Sequence, residues 1–332
     1  MKRLRFLLPL AGLALFAGLL LHADLDELGR YLARVGAVGF GAVLAVHALS
    51  FFCDVLLWQL CFPPAPATRG QRWTWYRVRL VGEAWNNALP LASVGGEPLK
   101  AKLLKERFGL DYTVSGAAFL IARTANLLAL VAFLTVGFAC MLGDPRFARA
   151  YQLTAGLGLG AFALGCWLVW LAQQGRLARM VRALTPAALR GSPRLTRFVA
   201  LVEDFDAALL AGYGASRRRT LAILVLAFLT WVAGALEIQI ILAAVGRPIA
   251  FTDAWMIEAA AQLVRAAAFV VPAGLGVVDG SFVLVTAIVT GSTPLGFVVA
   301  VVRRARDLAW IGLGFLAGLR LGGASGPTRA AP

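Results

Sequence analysis

Charged residues lie inside two apolar stretches of the chain, where a membrane would make them costly. The stretch at residues 76–108 contains Glu97, and the stretch at 253–290 contains Asp279. A charged side chain near the centre of a bilayer costs about 2.5–3.5 kcal/mol unless it meets a partner, water or a ligand. Buried acids and arginines can fix the backbone in place, or they can bind an anionic group such as a phosphate.

The charges expected at membrane depth number five arginines and three acids. This excess of positive charge predicts a phosphate as the missing anion, because the planar guanidinium binds it with two parallel donors. The alternative is that Glu97 pairs with Arg123, that Asp279 pairs with Arg304 or Arg306, and that these pairs only hold the hairpins in place. Glu97 or Asp279 could also couple transport to protons, although a permanently ionised salt bridge is the competing interpretation. The complete set is Glu97, Asp279, Asp307, Arg123, Arg265, Arg303, Arg304 and Arg306.

From that set of charged residues and its neighbours in the sequence, we predict a smaller group of substrate-binding residues. Glu258, Gln262 and Arg265 recur at i, i+4 and i+7, so they would share one helix face and could line a cavity or form an internal ion pair. Asn86 and Asn87 could satisfy interrupted backbone or contact the substrate. The predicted substrate-binding residues are Glu97, Arg123, Asp279, Arg304, Arg306, Asn87 and Arg265.

Proline and glycine interrupt both stretches in the same order. Glu97 follows Pro90 by seven residues, and Asp279 follows Pro272 by seven. Irregular backbone at membrane depth survives only inside protein or beside a wet cavity, so we predict two re-entrant helical hairpins. The helix N-termini after the turns could offer N–H donors to an anion. The predicted hinge and turn residues are Pro90, Gly95, Gly96, Pro272, Gly274 and Gly276.

The composition predicts an all-α polytopic membrane protein. Of the 332 residues, 60% are hydrophobic, and the mean hydropathy is +0.78. Soluble domains contain about 45–50% apolar residues. The net charge of +15 fits basic loops beside anionic lipids better than it fits nucleic acid. We predict about six full crossings, or about eight helices with the hairpins counted, and the full crossings are at 6–21, 38–60, 114–142, 153–171, 221–244 and 294–319.

The distribution of basic residues among the loops predicts one domain, 1–332, built from two inverted halves. Basic residues cluster in loops that share one side when both termini are cytoplasmic, as the positive-inside rule expects. The half-repeats are predicted at about 70–142 and 250–319, with a basic cytoplasmic loop at 173–219 that forms an amphipathic surface helix. The first apolar run could instead be a signal peptide cut after Ala23, but we favour an uncleaved helix.

Catalytic and metal-binding patterns are not found in the sequence. The four cysteines have no CxxC spacing, His22 and His47 are far apart, and neither a Ser/His/Asp set nor an HExxH motif occurs. We therefore expect no metal, no cofactor, no nucleic-acid partner and no enzymatic activity.

Two motifs carry a family resemblance. The segment from Asn87-Ala-Leu-Pro90 through Gly95-Gly96-Glu97-Pro98-Leu99-Lys100, with Pro272-Ala-Gly-Leu-Gly276-Val-Val-Asp279, resembles the lysylphosphatidylglycerol synthase transmembrane, flippase-like family over nearly the whole chain. The resemblance implies movement of a lipid between leaflets and marks Glu97, Arg123 and the second-hairpin acid as functional. The family usually has Glu at position 279 and Asp at position 122, where this chain has Asp279 and Ala122.

The function predicted is transport of an anionic or isoprenoid-derived lipid between leaflets of the cell inner membrane, through a midplane cavity. Its partners are expected to be lipids with phosphate headgroups, with a homo-oligomer or lipid-biosynthesis partners as further options. The resemblance is to stand-alone members, some associated with hopanoid biosynthesis, since no appended soluble domain follows the last crossing. The alternatives are an accessory scaffold that transports nothing and a membrane-embedded enzyme of lipid biosynthesis.

Overall fold

The computed structural model describes residues 25–62, 69–88, 95–174, 177–184, 193–214, 216–267 and 276–322. All regular elements in these ranges are helices, which confirms the predicted all-α class. They are α1 (Leu25–Leu60), α2 (Arg69–Ala88), α3 (Glu97–Phe108), α4 (Tyr112–Leu142), α5 (Arg149–Ala172), α6 (Leu177–Leu184), α7 (Pro193–Gly214), α8 (Arg217–Ala244), α9 (Phe251–Ala267), α10 (Val277–Thr290) and α11 (Thr293–Gly322).

Long apolar helices make this a membrane-embedded protein. Among the described helices, α1, α4, α5 and α8 are long and apolar enough to cross a bilayer. They match four of the predicted crossings. Helix α11 covers a fifth at 294–319, and four charged residues lie within that span, at 303, 304, 306 and 307. The predicted crossing at 6–21 lies outside the described residues.

Glycine sets the limits of several helices. In α1 the backbone at Gly36 is not helical, with φ 53°, two residues before the predicted start of the crossing at 38. Helix α3 ends at Gly109 with φ 67°, and α10 ends at Gly291 with φ 71°. Each of these two glycines lies twelve residues after its acid, Glu97 or Asp279 (109 − 97 and 291 − 279). The two hairpins therefore share the spacing from proline to acid and also the spacing from acid to the glycine that ends the second helix.

The long helices α1 and α8 lie side by side and run in opposite directions. Near one end of the pair, Arg34 donates a hydrogen bond to the carbonyl of Val245 at 3.4 Å. Further along, Ser50 donates to the carbonyl of Thr230, also at 3.4 Å. Since the numbering rises in one helix and falls in the other, the two helices are antiparallel.

Two other helix pairs also join the halves. Trp85 of α2 packs edge-to-face on Phe315 of α11, with ring centroids 5.6 Å apart. Arg146, just after α4, pairs with Asp253 in the first turn of α9. If α1–α4 are matched in order with α8–α11, α2 takes the place of α9 and α11 takes the place of α4. The contact between α2 and α11 then corresponds to the contact between α9 and α4. Among these eight helices, the pairs that are in contact stay the same under this exchange.

This arrangement is what a two-fold axis perpendicular to the helices produces, and inverted repeats of membrane transporters have the same relation. Each half contributes a long helix, two short helices and a second long helix. The turns of both hairpins, 89–94 and 268–275, lie outside the described residues. Whether the hairpins are re-entrant therefore stays a prediction, as do the single domain and the exact bounds of the half-repeats.

A connecting unit of three helices joins the halves. Helix α5 packs on α4 and α9, whereas α6 and α7 occupy most of the predicted basic loop. Rather than lying free of the bundle, α7 packs against α4: Leu209 is fully buried, and Phe205 lies against Gly116. The predicted amphipathic helix is thus present, and its apolar face is partly covered by the protein itself.

Candidate functional site

A bidentate ion pair joins the second hairpin to α11. Arg304 Nε lies 2.8 Å from Asp279 Oδ1, and Arg304 Nη2 lies 2.8 Å from Asp279 Oδ2. Asp279 is in the first turn of α10, and one of its oxygens also accepts a hydrogen bond from the backbone N–H of Gly276 at 2.9 Å. The predicted pairing of Asp279 with Arg304 or Arg306 is therefore resolved in favour of Arg304.

Arg303, the neighbouring residue, sits between two acids from different helices. Its Nη2 lies 2.6 Å from both carboxylate oxygens of Glu258 on α9, and its Nη1 pairs with Glu237 on α8. The guanidinium carbon lies 5.4 Å from the centre of the Phe282 ring. All of these side chains are buried, so Arg303 ties three helices of the second half together at one point.

The same network extends toward the first half of the chain. Arg306 pairs with Glu237 and with Asp307. His47 of α1 places its Nδ1 3.2 Å from Glu237. His47 is thus not isolated, contrary to its appearance in the sequence. Glu237 is 1% exposed and was not among the predicted site residues.

Glycine makes room for this cluster. A Cβ atom at Gly234 would lie 2.5 Å from Glu258 Oε1, so only glycine lets α8 approach α9 this closely. Gln262, one turn along α9, donates to the same Glu258 oxygen at 2.7 Å. The sequence pattern therefore placed Glu258 and Gln262 correctly on one face, but the carboxylate pairs with Arg303 rather than with Arg265.

Arg265, near the C-terminal end of α9, lies beside the network without joining it by a hydrogen bond. Its Nε is buried and has no hydrogen-bond partner in the described part of the chain. Its electrostatic neighbours are Asp307 and Glu258, together with Arg303 and Arg304. The predicted site residue Arg265 is thus the arginine of this cluster with an unsatisfied buried donor.

Counting the charges corrects the predicted excess of arginine. The second-half network contains four acids, Glu237, Glu258, Asp279 and Asp307, against four arginines, Arg265, Arg303, Arg304 and Arg306. The prediction left Glu237 and Glu258 out of the count. A missing anion therefore does not follow from the charge balance alone.

The first hairpin satisfies its acid in a different way. Glu97 Oε1 lies 2.6 Å from Lys100 Nζ, three residues along the same helix, and Asn86 of α2 donates to that oxygen at 3.4 Å. Lys100 is completely buried, with its ammonium 5.2 Å from the centre of the Phe119 ring. The predicted pairing of Glu97 with Arg123 is therefore wrong.

Helices α2 and α3 touch almost backbone to backbone. A Cβ at Gly96 would lie 2.0 Å from the carbonyl oxygen of Gly82, and Asn86 Oδ1 accepts the Gly96 N–H at 2.7 Å. Close packing of α3 on α2 therefore requires glycine at the predicted turn residue Gly96. Asn87 bonds to the carbonyl and carboxylate of Glu83 and is exposed. Gly95 also lies in the described turn, whereas Pro90, Pro272 and Gly274 lie outside the described residues.

Arg123 occupies an unusual position for a charge. It lies in the crossing helix α4, its side chain is exposed, and it forms no ion pair with the residues that the structure describes. By contrast, Arg79 of α2 pairs with Asp54 of α1 at 2.7 Å, and its guanidinium lies 5.6 Å from the centre of the Trp58 ring. Arg79 and Asp54 were not predicted as site residues.

At the end of the bundle formed by residues 143–148, a further cluster joins three segments. Arg146 pairs with Asp144 and Asp253 and donates to the carbonyl of Val289 at 2.9 Å. Its hydrogen bonds hold the pKa of Asp144 below the usual range. Among the described residues, no group of three or more His, Cys, Asp or Glu side chains could hold a metal ion.

Chemically, the arrangement offers a buried arginine donor, Arg265 Nε, without an acceptor in the described part of the chain. The sequence offered one signal for the residue it missed: Glu237 is the single charged residue in the apolar stretch 221–244. A charge placed there has to be buried with a partner. Its partners come from α1 and α11, which the sequence does not bring together.

The comparisons with known proteins identify the family. The family described as lysylphosphatidylglycerol synthase TM region matches residues 9–314. No curated protein and no solved structure matches the chain. Because the match covers most of the sequence, the chain belongs to this family, and its membrane role concerns lipids.

Proposed function

We propose that this member of the lysylphosphatidylglycerol synthase TM family moves a phosphate-bearing lipid between the leaflets of a membrane. The observation that carries the proposal is Arg265, a guanidinium among buried charges whose Nε has no hydrogen-bond partner in the described ranges. It lies at the end of α9, beside the turn of the second hairpin. A phosphate oxygen would complete its hydrogen bonding.

The energetic argument concerns the cost of an unmade bond. A buried donor without an acceptor costs about 1–3 kcal/mol, and more when the group is charged. A lipid phosphate accepts bidentate hydrogen bonds from a guanidinium and carries the opposite charge. Binding would therefore recover a cost that the empty protein bears, without breaking the ion pairs of Arg303, Arg304 and Arg306 beside it.

Arg123 supports the same proposal from the other half of the chain. An exposed arginine on a crossing helix must contact lipid headgroups, water or a ligand. Helices α4 and α9 are neighbours. Arg123 is in the N-terminal half of α4 and Arg265 is two residues before the end of α9, and we propose that a phosphate passes between them.

The inverted arrangement supplies a means of alternating exposure. Inverted repeats with broken helices are a recurrent transporter design, in which one set of helices rocks against the other. We propose the cell inner membrane as the location, with both chain termini cytoplasmic. The transported lipid is of the anionic or isoprenoid-derived class.

Leaflet exchange in liposomes tests the proposal. Purified protein is reconstituted with fluorescent phosphatidylglycerol, phosphatidylcholine and polyprenyl phosphate, and the accessible fraction of each lipid is followed in time. We expect Arg265→Gln to slow exchange at least about tenfold, the change that 1.4 kcal/mol produces. Arg247→Gln is the matched control, because Arg247 is exposed outside the network. Unchanged exchange in Arg265→Gln would contradict the proposal.

The balanced charge network favours a second candidate, an accessory scaffold for lipid biosynthesis. The ion pairs of four acids with Arg303, Arg304 and Arg306 would hold helices together without any ligand. A scaffold should tolerate both Arg265→Gln and Glu97→Gln in a cell-based lipid assay but fail when residues 177–214 are deleted. A transporter should fail with Arg265→Gln even when the protein is present at its normal level.

A further inference from the structure

A histidine of the first half of the chain touches the buried charge network of the second half. His47 lies on α1, and its Nδ1 is 3.2 Å from Oε1 of Glu237 on α8. The imidazole also meets the Trp310 ring of α11 edge to face, with ring centroids 4.8 Å apart. One imidazole therefore contacts both long helices of the second half.

The two oxygens of Glu237 have different partners. Oε2 accepts hydrogen bonds from Arg303 and Arg306. Oε1 faces His47, and no other donor to it is found among the described residues. Because an ionised carboxylate only accepts hydrogen bonds, the hydrogen lies on Nδ1, and the neutral ring has its lone pair on Nε2. A proton can therefore add at Nε2 while Nδ1 keeps its bond to Glu237.

The other charged groups of the network are poorly placed to gain or lose a proton. Arginine stays charged in proteins, and each acid pairs with an arginine, so protonating an acid would break an ion pair. An imidazole, by contrast, changes its charge between about pH 5 and 8. The side chain of His47 is 22% exposed, which leaves it open to protons from outside the network. The ion pairs of the acids are Glu237 with Arg303 and Arg306, Glu258 with Arg303, Asp279 with Arg304, and Asp307 with Arg306.

Among the described residues, Glu237 is the charged group in direct contact with His47. Helices α2, α4, α8 and α11 pack against α1, and the network arginines of α11 reach the far oxygen of Glu237. From α2, Arg79 pairs with Asp54, which is seven residues along α1 from His47 (54 − 47). Helix α4 carries Arg123 as its charged residue, and that side chain is exposed. A change of charge at His47 therefore acts first on Glu237.

Ion pairs connect His47 with Arg265 through the network. From His47 the contacts run to Glu237 and then to Arg306. Arg306 pairs with Asp307, which is an electrostatic neighbour of Arg265. Salt screens charges much less when they are buried or partly buried than when they are exposed. A change of charge at either end of this path therefore acts on the other end.

The charge count relates a proton at His47 to a phosphate at Arg265. With a neutral imidazole, the four acids and the four arginines of the network balance. A lipid phosphate would add a negative charge, and an uncompensated charge is costly in the interior. A proton on His47 would return the sum to zero.

We propose that His47 takes up a proton when a lipid phosphate binds at Arg265, and that the lipid and the proton cross the membrane together. This inference rests on the proposed function and adds a coupling ion to it. Because linkage between two sites is reciprocal, protonation of His47 must also tighten binding of the phosphate. Acid on the side where the lipid is loaded then favours loading.

Titration calorimetry of the full-length protein in detergent measures the proton uptake. Dioctanoyl phosphatidylglycerol, a soluble anionic lipid, is added at neutral pH in buffers with different heats of ionisation. The dependence of the binding heat on the buffer gives the number of protons taken up. We expect wild type to approach about one proton per lipid, and its affinity to rise at least about threefold from about pH 8 to about pH 6.

Four variants locate the proton and the phosphate. His47→Gln keeps an N–H donor for Glu237 but does not titrate, so it should lose both the uptake and the pH dependence of affinity. His22→Gln, at the other histidine of the chain, is the matched control and should behave as wild type. His47→Lys is charged throughout this pH range, so it should bind tightly without uptake. Arg265→Gln should abolish the uptake that accompanies binding.

Equal uptake in His47→Gln and wild type would overturn the proposal, and so would lipid binding by wild type without uptake. Uptake that survives in Arg265→Gln would place the anion elsewhere and overturn it too. Leaflet exchange in liposomes with an imposed pH gradient separates this proposal from the proposed function. Exchange that ignores the gradient leaves transport standing and refutes the coupling. No exchange with any lipid refutes transport, and calorimetry then decides whether His47 and Arg265 are linked.

Discussion

The two hairpins share a backbone plan but anchor their acids differently. In the second hairpin, Asp279 reaches across to Arg304 of the following long helix. In the first, Glu97 is paired with Lys100 on its own helix, and α4 offers it no arginine. Burial differs in the same direction: two of the twelve residues of α3 are buried, against eight of the fourteen in α10.

The difference indicates which half is fixed and which can move. A hairpin tied to its long helix by a bidentate ion pair moves together with that helix. A hairpin whose acid pairs within its own helix can shift without breaking an ion pair to α4. We therefore expect the first hairpin to be the moving part and the second to be the framework.

The largest expected effect comes from removing the acid of each hairpin. Asp279→Asn should lower the free energy of unfolding by about 3–5 kcal/mol, since a buried pair is broken and arginine cannot release its proton. Glu97→Gln should cost clearly less, because a buried lysine can become neutral. Thermal unfolding of the detergent-purified variants measures both. Equal destabilisation by the two substitutions would break the comparison.

Hydrogen exchange can sharpen the same comparison without mutation. Backbone amides of α3 should exchange faster than those of α10 by at least about tenfold, because local opening is easier where few residues are buried. Mass spectrometry of peptides from 97–108 and 277–290 in lipid nanodiscs gives the rates. Similar protection in both helices would show that the first hairpin is as fixed as the second.

Substitution of the two turn glycines by alanine should lower the free energy of unfolding by different amounts. Gly96→Ala forces two backbones apart, since its Cβ would lie 2.0 Å from the Gly82 carbonyl oxygen, and we expect a loss of about 1–3 kcal/mol. Gly276→Ala should cost about 1–2 kcal/mol, because its φ is 76°. Chemical denaturation measures both, with Gly160→Ala as a control that should not destabilise. A larger loss at Gly276 would reverse the expected order.

The smallest effect should appear at the 143–148 end. Because the pKa of Asp144 is lowered in the folded protein, its stabilising contribution is complete above the usual value of 3.8 and is lost as the pH falls through the folded pKa. Asp144→Asn should remove this part of the pH dependence. Unfolding temperatures measured between about pH 3 and 6 test it, with Asp111→Asn as an exposed comparison. If Asp144→Asn kept the pH dependence of the unfolding temperature unchanged, Asp144 would not be its cause.

Much of the fold follows from the sequence, because a bilayer imposes long apolar runs on crossing helices. The predicted spans at 114–142 and 221–244 agree closely with Tyr112–Leu142 and Arg217–Ala244. The two interrupted stretches each contain two helices, as the proline and glycine pattern indicated. Less of the site could be predicted, because the ion pairs join residues far apart in the chain.

The sequence by itself determined the membrane class, the positions of the helices, the spacing shared by the two hairpins and most of the charged residues at depth. Tertiary structure decided the pairing of those charges. Helix packing brings Glu237 of α8 beside Arg303 and Arg306 of α11, and it leaves Arg123 and Arg265 without hydrogen-bonded acids in the described ranges. A charge selects the partner that lies within reach in space, and only the packing of whole helices sets that distance.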